Sequence, residues 1–279
     1  MTPPAPIFVG GTGRSGTTIL ARLIGRHPDH EVIPVEARFH CSPDGLPGVL
    51  DGSVTPEQFV QHMRTQWYHP PGRSPKLGAF VERAAFDGAL ARFLQQAEAD
   101  KLAAGRALVD ELFGAYAHAK HKRGWVEMTP INAMWGAPSL ARLFPELKLV
   151  HVLRDGRDVA SSLVSLGWMA SVPEALQWWE ERMLKAHEAC ATLLPQSLLV
   201  IHFEALLVED RAGTLQRLCS FMGWPPEPLL ERFMERRMPP QDAHVGRWRT
   251  HCSAQEQAFL RTEYPACLSR LAHACVSAA

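Results

Sequence analysis

A short segment near the N-terminus combines glycines, hydroxyl side chains and an arginine in an order that suits anion binding. A strand predicted at Ile7–Val9 leads into it, and a helix predicted from about Ser15 to Arg26 follows. The segment reads Gly10-Gly11-Thr12-Gly13-Arg14-Ser15-Gly16-Thr17-Thr18. Glycines let successive backbone N–H groups point into one concavity, and the positive end of the helix dipole adds to that field. The segment therefore predicts a cradle for a phosphate or sulfate group.

The spacing of this loop is that of a P-loop, but its cation stands elsewhere. Gly11 and Gly16 occupy the glycine positions of the pattern G-x-x-x-x-G-K-[ST]. Thr17 occupies the lysine position, and Arg14 inside the loop is the remaining cation. The loop therefore indicates an anion site without the usual ATPase lysine, unless it is an ordinary strand–turn–helix connection.

A second anion site is predicted after a buried strand at Leu147–Leu153. Arg154 follows this strand directly, and Ser162 lies well into the next helix. An arginine fork and a serine hydroxyl can clamp an anion together. A salt-bridged strand-to-helix turn is the alternative for the same residues.

Strands alternate with helices along the chain, which predicts an α/β, P-loop-NTPase-like three-layer fold with a central, mainly parallel sheet flanked by helices. Further strands are predicted at Glu31–Val35, Trp125–Met128 and Leu198–Phe203. Helices are predicted at Phe80–Lys101, Pro138–Phe144, Glu174–Leu194 and Arg211–Met222, and a long irregular stretch from Phe39 to about Lys76. Ligands of such sheets sit beyond the carboxyl ends of the strands. We therefore expect the glycine loop, Glu36, Thr129 and Arg154 to share one edge.

Composition limits the classes of protein that this chain can be. Its 279 residues suit one domain, with a helical and loop insertion expected at about residues 39–123. Because 29 basic residues balance 29 acidic ones, broad nucleic-acid binding is not expected.

No apolar run predicts a membrane span, and no signal peptide is recognised at the N-terminus. The six cysteines lack metal-site spacing, and no metal is expected. Because no secretion signal is recognised, we expect a cytoplasmic protein with reduced thiols, although Cys252, Cys267 and Cys275 leave a disulfide open.

Together these segments resemble sulfotransferases that use 3′-phosphoadenosine 5′-phosphosulfate (PAPS). The glycine loop resembles their 5′-phosphosulfate loop, in the Arg-Ser-Gly-Thr-Thr version of tyrosylprotein sulfotransferases and many bacterial relatives. Arg154 and Ser162 resemble the 3′-phosphate clamp of the family. Phe203 stands at the aromatic position of a downstream motif, and Val245–Arg249 is similar to a loop that closes over the nucleotide. The resemblance implies that the cofactor contacts Gly13, Arg14, Ser15, Gly16, Thr17, Thr18, Arg154, Ser162, Phe203, Gly246, Arg247 and Trp248.

The implied reaction is in-line transfer of a sulfuryl group from PAPS to a hydroxyl or amine. Negative charge builds on the leaving phosphate, and Arg14 with the amides of Ser15–Thr18 can meet it. The acceptor must lose a proton, which requires a base. Glu36 resembles the catalytic glutamate of the tyrosylprotein branch, and burial between Val35 and Ala37 would raise its pKa. A surface glutamate paired with Arg38 is the other interpretation, and His40 is the alternative base.

One residue departs from the family pattern. Relatives often carry a lysine before Thr-Pro, whereas this chain has Met128 before Thr129. If that lysine stabilises the leaving phosphate in relatives, then in this chain Arg14 must supply more of that stabilisation, or Lys122 or Arg123 must take the place of the lysine. Glu127 could bind substrate or pair with an arginine. Trp178, Trp179 and Met183 could form a wall for the acceptor, although a core position is favoured for them.

Two other functions remain open. A P-loop kinase or other ATP-dependent phosphotransferase is disfavoured by the missing lysine and by the predicted 3′-phosphate clamp, because ATP has no 3′-phosphate. A non-catalytic nucleotide-binding protein of the same fold is suggested by Met128. For an enzyme, the expected partner is a small-molecule, carbohydrate or lipid acceptor, and a peptide tyrosine is a further possibility.

Overall fold

A five-stranded, fully parallel sheet forms the centre of the computed structural model, which describes residues 4–69 and 76–277, with side chains through residue 273. The strand order is β2-β3-β1-β4-β5. The strands are β1 (Ile7–Gly11), β2 (His30–Val32), β3 (Gly124–Met128), β4 (Lys148–Leu153) and β5 (Leu198–His202). The parallel α/β architecture predicted from the sequence is confirmed, and each predicted strand is found within a few residues of its expected bounds.

Helices connect the strands and cover both faces of the sheet. They are α1 (Thr17–Ile24), α2 (Leu46–Asp51), α3 (Pro56–His62), α4 (Arg83–Ala97), α5 (Lys101–Ala119), α6 (Pro130–Trp135), α7 (Ala137–Leu143), α8 (Gly156–Ser165), α9 (Val172–Cys190), α10 (Arg211–Met222), α11 (Pro228–Arg237), α12 (Trp248–His251) and α13 (Ala254–Ser277). Short π-helical segments lie at Met63–Tyr68 and Ala205–Glu209, and 3-10 turns at Leu77–Ala79, Pro195–Ser197 and Pro240–Asp242. None of the helices within the described ranges is long and apolar enough to cross a membrane.

The alternation of side chains along each strand creates two cores. Ile7 and Val9 of β1 face one core, which also contains residues of α1, α10 and α11. Phe8 faces the other core, which is filled by residues of α4, α5 and α7. A third cluster joins α8, α9 and α13 around Trp179 and Trp248. Helices therefore lie on both sides of the sheet, in three layers.

The stretch from Phe39 to Lys76 is more regular than the sequence indicated, since α2, α3 and a π-helical segment lie within it. Pro47 is the second residue of α2 and Pro56 is the first residue of α3, and in the first turn of a helix a proline is tolerated because its missing N–H is not needed there. A capping box begins α3, because Thr55 and Gln58 each accept a hydrogen bond from the other's backbone N–H. Residues 70–75 of this stretch lie outside the described residues.

The strand order places the candidate residues at one edge of the sheet. The glycine loop follows β1, the Glu36 loop follows β2 and Thr129 follows β3. Arg154 and Phe203 follow β4 and β5. Because all five strands are parallel, these segments all emerge at the carboxyl edge, as the sequence predicts.

Candidate active site

The glycine loop packs so closely that two of its glycines have no room for a side chain. A Cβ on Gly11 would lie 2.6 Å from the carbonyl oxygen of Val152 on β4. Gly16 has φ +95°, and a Cβ there would lie 2.4 Å from the ring of Phe203. Ser15 is buried and its Oγ donates to the carbonyl of Thr12 at 2.6 Å. The hydrogen bond of Ser15 and the close packing at Gly11 and Gly16 therefore fix the shape of the loop. Because Gly16 has no side chain to cap α1, the first N–H groups of the helix remain available to an anion.

Arg14 and Ser162, predicted from separate motifs, are in direct contact. Arg14 has φ +69°, and its exposed side chain donates from Nε to Ser162 Oγ at 3.1 Å. The Arg14 guanidinium also lies 5.9 Å from the ring of Trp168, a residue that is 62% exposed. The Arg14 guanidinium and the Ser162 hydroxyl are therefore hydrogen-bonded to each other at the exposed side of the loop.

Arg154 connects three parts of the site. Its Nη1 donates to the carbonyl of Arg14 at 2.9 Å, and its Nη2 donates to the carbonyl of His244 at 2.9 Å. The guanidinium lies 4.6 Å from the centre of the Phe203 ring. Burial lowers the pKa of Arg154, while the nearby carboxylate of Asp158 opposes that shift. A cavity of about 190 Å³ adjoins Arg154, Phe203 and His244.

The C-terminal loop predicted to close over the nucleotide is anchored by an aspartate that sequence reasoning missed. Asp158 is buried and accepts hydrogen bonds from the backbone N–H groups of Gly246, at 2.7 Å, and Trp248, at 3.0 Å. The Trp248 side chain is 2% exposed and belongs to the core, whereas Arg247 is exposed and donates to His251 Nε2. In the sequence, Asp158 could have been noticed as the second aspartate of the run Arg154–Asp158.

Glu36 lies at the carboxyl edge beside two cations. Its carboxylate is 38% exposed and 2.7 Å from Nη2 of Arg38. Val35 and Ala37 are buried, but they do not enclose the carboxylate as the sequence analysis expected. Burial and the charge of Arg38 lower the pKa of Lys76, while Glu36 opposes the shift. The carboxylate is thus open to solvent and engaged in the ion pair that was the alternative interpretation.

Glu127 is a buried support for this loop. Its Oε1 accepts hydrogen bonds from Thr129 Oγ1, at 2.6 Å, and from the backbone N–H of Ala37, at 3.3 Å. Its Oε2 lies 3.0 Å from Nε2 of His40, and both of these side chains are fully buried. Glu127 therefore fixes the backbone beside Glu36, and the suggestion that it binds substrate or an arginine is wrong.

The position of His40 argues against the alternative base. Its ring stacks on Phe8 at 5.5 Å and packs edge-on against Phe39 and Phe113. Enclosed by these rings and by Glu127, the imidazole cannot reach an acceptor at the sheet edge.

The cations suggested as substitutes for the missing lysine lie at the wrong end of β3. Lys122 donates to the carbonyl of Pro28 at 2.8 Å, and Arg123 pairs with Asp29 at 3.1 Å. Both precede β3, whereas Met128 is its last residue. Neither can therefore reach the glycine loop.

The two adjacent tryptophans of α9 have different surroundings. Trp179 and Met183 belong to the core, as the sequence analysis favoured. Trp178 is half-buried, and its Cη2 lies 3.8 Å from the place of a Cβ on Gly13. One tryptophan of the pair thus covers the glycine loop.

Comparison with known proteins decides the family. A family model described as "Sulfotransferase family" matches residues 6–228. The chain belongs to the sulfotransferase family. Among curated relatives, this sulfotransferase is 22% identical to a putative protein-tyrosine sulfotransferase of Caenorhabditis briggsae over 77% of its length, and 21% identical to a protein-tyrosine sulfotransferase of Drosophila melanogaster over 78%. The matches span 64% and 38% of those two proteins.

Solved structures show the same fold for this sulfotransferase. The sulfotransferase domain of the curacin biosynthetic pathway superposes with a TM-score of 0.54 at 17% identity, covering 92% of this chain and 96% of that one. The sulfotransferase domain of the Synechococcus olefin synthase gives 0.53 at 16% identity, covering 95% and 96%. The predicted P-loop-NTPase-like α/β fold is confirmed.

Proposed function

We propose that this sulfotransferase transfers a sulfuryl group from PAPS to a hydroxyl or amine of its acceptor. The observation that carries the proposal is the network around Arg154, which joins the glycine loop, Phe203 and the C-terminal loop. Two anion-binding motifs far apart in the sequence are thereby brought together, with Ser162 and Arg14 in contact. A nucleotide with phosphates on both the 3′ and the 5′ oxygens of its ribose suits such a pair.

The residues present fit this donor. Backbone N–H groups of residues 13–18 and the Arg14 side chain would hold the 5′-phosphosulfate. Ser162 and Arg154 would hold the 3′-phosphate, because two carbonyl contacts leave the other N–H groups of the Arg154 guanidinium available. Phe203 and the loop of Gly246 and Arg247 would bound the nucleoside, while the buried Trp248 side chain would anchor that loop in the core. When bound, PAPS supplies the sulfuryl group that is transferred.

In the proposed reaction each charge has a partner in the protein. Arg14 and the N–H groups of the loop stabilise negative charge on the leaving phosphate, which requires no metal. Glu36 accepts the acceptor's proton once its ion pair with Arg38 opens. Glu127 and Thr129 hold the loop that carries Glu36 in place. The acceptor is proposed to be a small molecule, carbohydrate or lipid, and the cytoplasmic location remains a prediction.

Calorimetry tests the donor assignment. Binding of 3′,5′-adenosine bisphosphate and of ATP would be measured without magnesium for the wild type, Arg154→Ala and Arg123→Ala, a control at the opposite end of the sheet. We expect tight bisphosphate binding, weak ATP binding and a loss of about tenfold or more only in Arg154→Ala. Preference for ATP would favour the kinase alternative. Binding of PAPS without transfer to any acceptor would favour a non-catalytic protein.

A further inference from the structure

A cation on α9 stacks on the tryptophan that covers the glycine loop, and it has no role in the site described so far. The guanidinium of Arg182 stacks 3.9 Å from the ring centre of Trp178, the residue whose Cη2 approaches Gly13. The ring centre of Trp135, at the end of α6, lies 5.7 Å from the same guanidinium. Two aromatic rings thus lie close to the guanidinium of Arg182, and one of them, Trp178, contacts the glycine loop.

The charge of Arg182 lacks a close counter-ion in the part of the chain that the structure describes. Its Nη1 donates to the carbonyl of Trp178 at 3.3 Å, while its Nε is buried without a hydrogen-bond acceptor among the described residues. Burial lowers the pKa of Arg182, and Glu181 only partly opposes that shift. By contrast, Glu180 on the same helix is fully engaged with Arg270. A buried N–H without a partner is costly, and an anion at this point would remove that cost.

Met128 leaves the neighbouring strand end without a cation. It is the last residue of β3 and pairs with Val9 of β1, immediately before the glycine loop. The segment that follows, α6, packs on both β1 and α9 and carries Trp135. Arg182 therefore lies on a helix that packs against the segment directly after Met128.

We propose that Arg182 binds the sulfuryl end of the donor and supplies the positive charge that Met128 does not. Trp178 and Trp135 are positioning residues, since their ring centres lie 3.9 Å and 5.7 Å from the guanidinium. This inference rests on the proposed function.

The transfer balances without a further reactant. The bond between sulfur and the bridging phosphate oxygen breaks, and its electron pair stays on the leaving phosphate. A bond forms between sulfur and the acceptor oxygen or nitrogen, whose proton passes to Glu36. Arg182 stays protonated throughout and donates hydrogen bonds to the sulfuryl oxygens, whose charge it offsets.

The test compares ligands that differ only in the sulfuryl group. Calorimetry would measure PAPS and 3′,5′-adenosine bisphosphate binding to the wild type, Arg182→Met and Arg182→Lys. Lys185→Met is the matched control, because Lys185 lies on the same helix 4.2 Å from the Trp135 ring and is exposed. We expect Arg182→Met to weaken PAPS binding by about tenfold or more, to change bisphosphate binding less than about twofold, and to be partly rescued in Arg182→Lys.

Other outcomes separate this inference from the function on which it rests. Equal weakening of both ligands, or no change in either, would overturn the role of Arg182, as would the same effect in Lys185→Met. Thermal unfolding of each variant identifies a general loss of folding, which would lower both affinities together. If the wild type binds neither ligand, the proposed function itself fails.

Discussion

Two glutamates near the same sheet edge have opposite roles, and the contrast is decided by burial. Glu36 is partly exposed beside Arg38, whereas Glu127 is fully buried among Thr129, Ala37 and His40. We expect Glu36→Gln to lower turnover by about 10²–10⁴-fold, because the base is lost, while stability changes by less than about 0.5 kcal/mol. Glu127→Gln should instead lower the free energy of unfolding by about 2 kcal/mol, because the contact with His40 is broken inside the core.

The two substitutions are matched, since each exchanges one carboxylate oxygen for an amide nitrogen. Urea unfolding and sulfuryl-transfer assays on both variants separate the roles. If Glu36→Gln keeps full turnover, the base assignment is wrong. If Glu127→Gln is as stable as the wild type, the contact between Glu127 and His40 does not stabilise the core.

At the scale of elements, the glycine loop depends on β5 as well as on its own sequence. A Cβ on Gly16 would clash with Phe203 and would also need φ +95°, whereas Gly52 has φ +87° but would meet no described atom within 4 Å. Gly52→Ala should therefore cost about 1 kcal/mol of stability from backbone strain alone. Gly16→Ala should cost about 2 kcal/mol or more and also weaken bisphosphate binding, because Phe203 or the loop must move. Chemical unfolding and calorimetry measure both effects, and equal costs at the two glycines would contradict the close contact.

The sequence predicts those elements whose structure is decided by neighbouring residues, and it misses those decided by contacts between distant residues. The strands were found because short apolar runs end at glycine, proline or charged residues, and α10 was found with its exact bounds. By contrast, α2 and α3 were missed, because their prolines were taken as breakers although packing on the sheet favours helix. Arg14 and Ser162 were each found from a local motif, but their contact was not predicted. The Glu127–His40 pair and the surroundings of Arg182 were not predicted either, since burial and partners distant in sequence decide their roles.

At the scale of the whole molecule, buried histidines make folding sensitive to acid. Burial, with His27 nearby, lowers the pKa of His30 to about 4, and burial, with His202 nearby, lowers the pKa of His151 to about 4. The ordinary value of 6.5 applies to the unfolded chain, which therefore binds more protons than the folded protein between pH 6.5 and 4. Stability should fall as the pH drops through this window, by on the order of 3 kcal/mol for each histidine.

The slope of stability against pH isolates one of these groups. His151 is buried on β4, between β1 and β5. Its Nε2 has no hydrogen-bond partner among the described residues, so leucine can replace it without breaking a bond at that atom. Urea unfolding between pH 4 and 7 should show a slope for His151→Leu that is smaller by up to about 1.4 kcal/mol per pH unit, because one fewer proton is taken up on unfolding. His118→Gln, at an exposed position of α5, is the control that should keep the wild-type slope. An unchanged slope in His151→Leu would mean that this imidazole takes up its proton in the folded protein over the same pH range as in the unfolded chain.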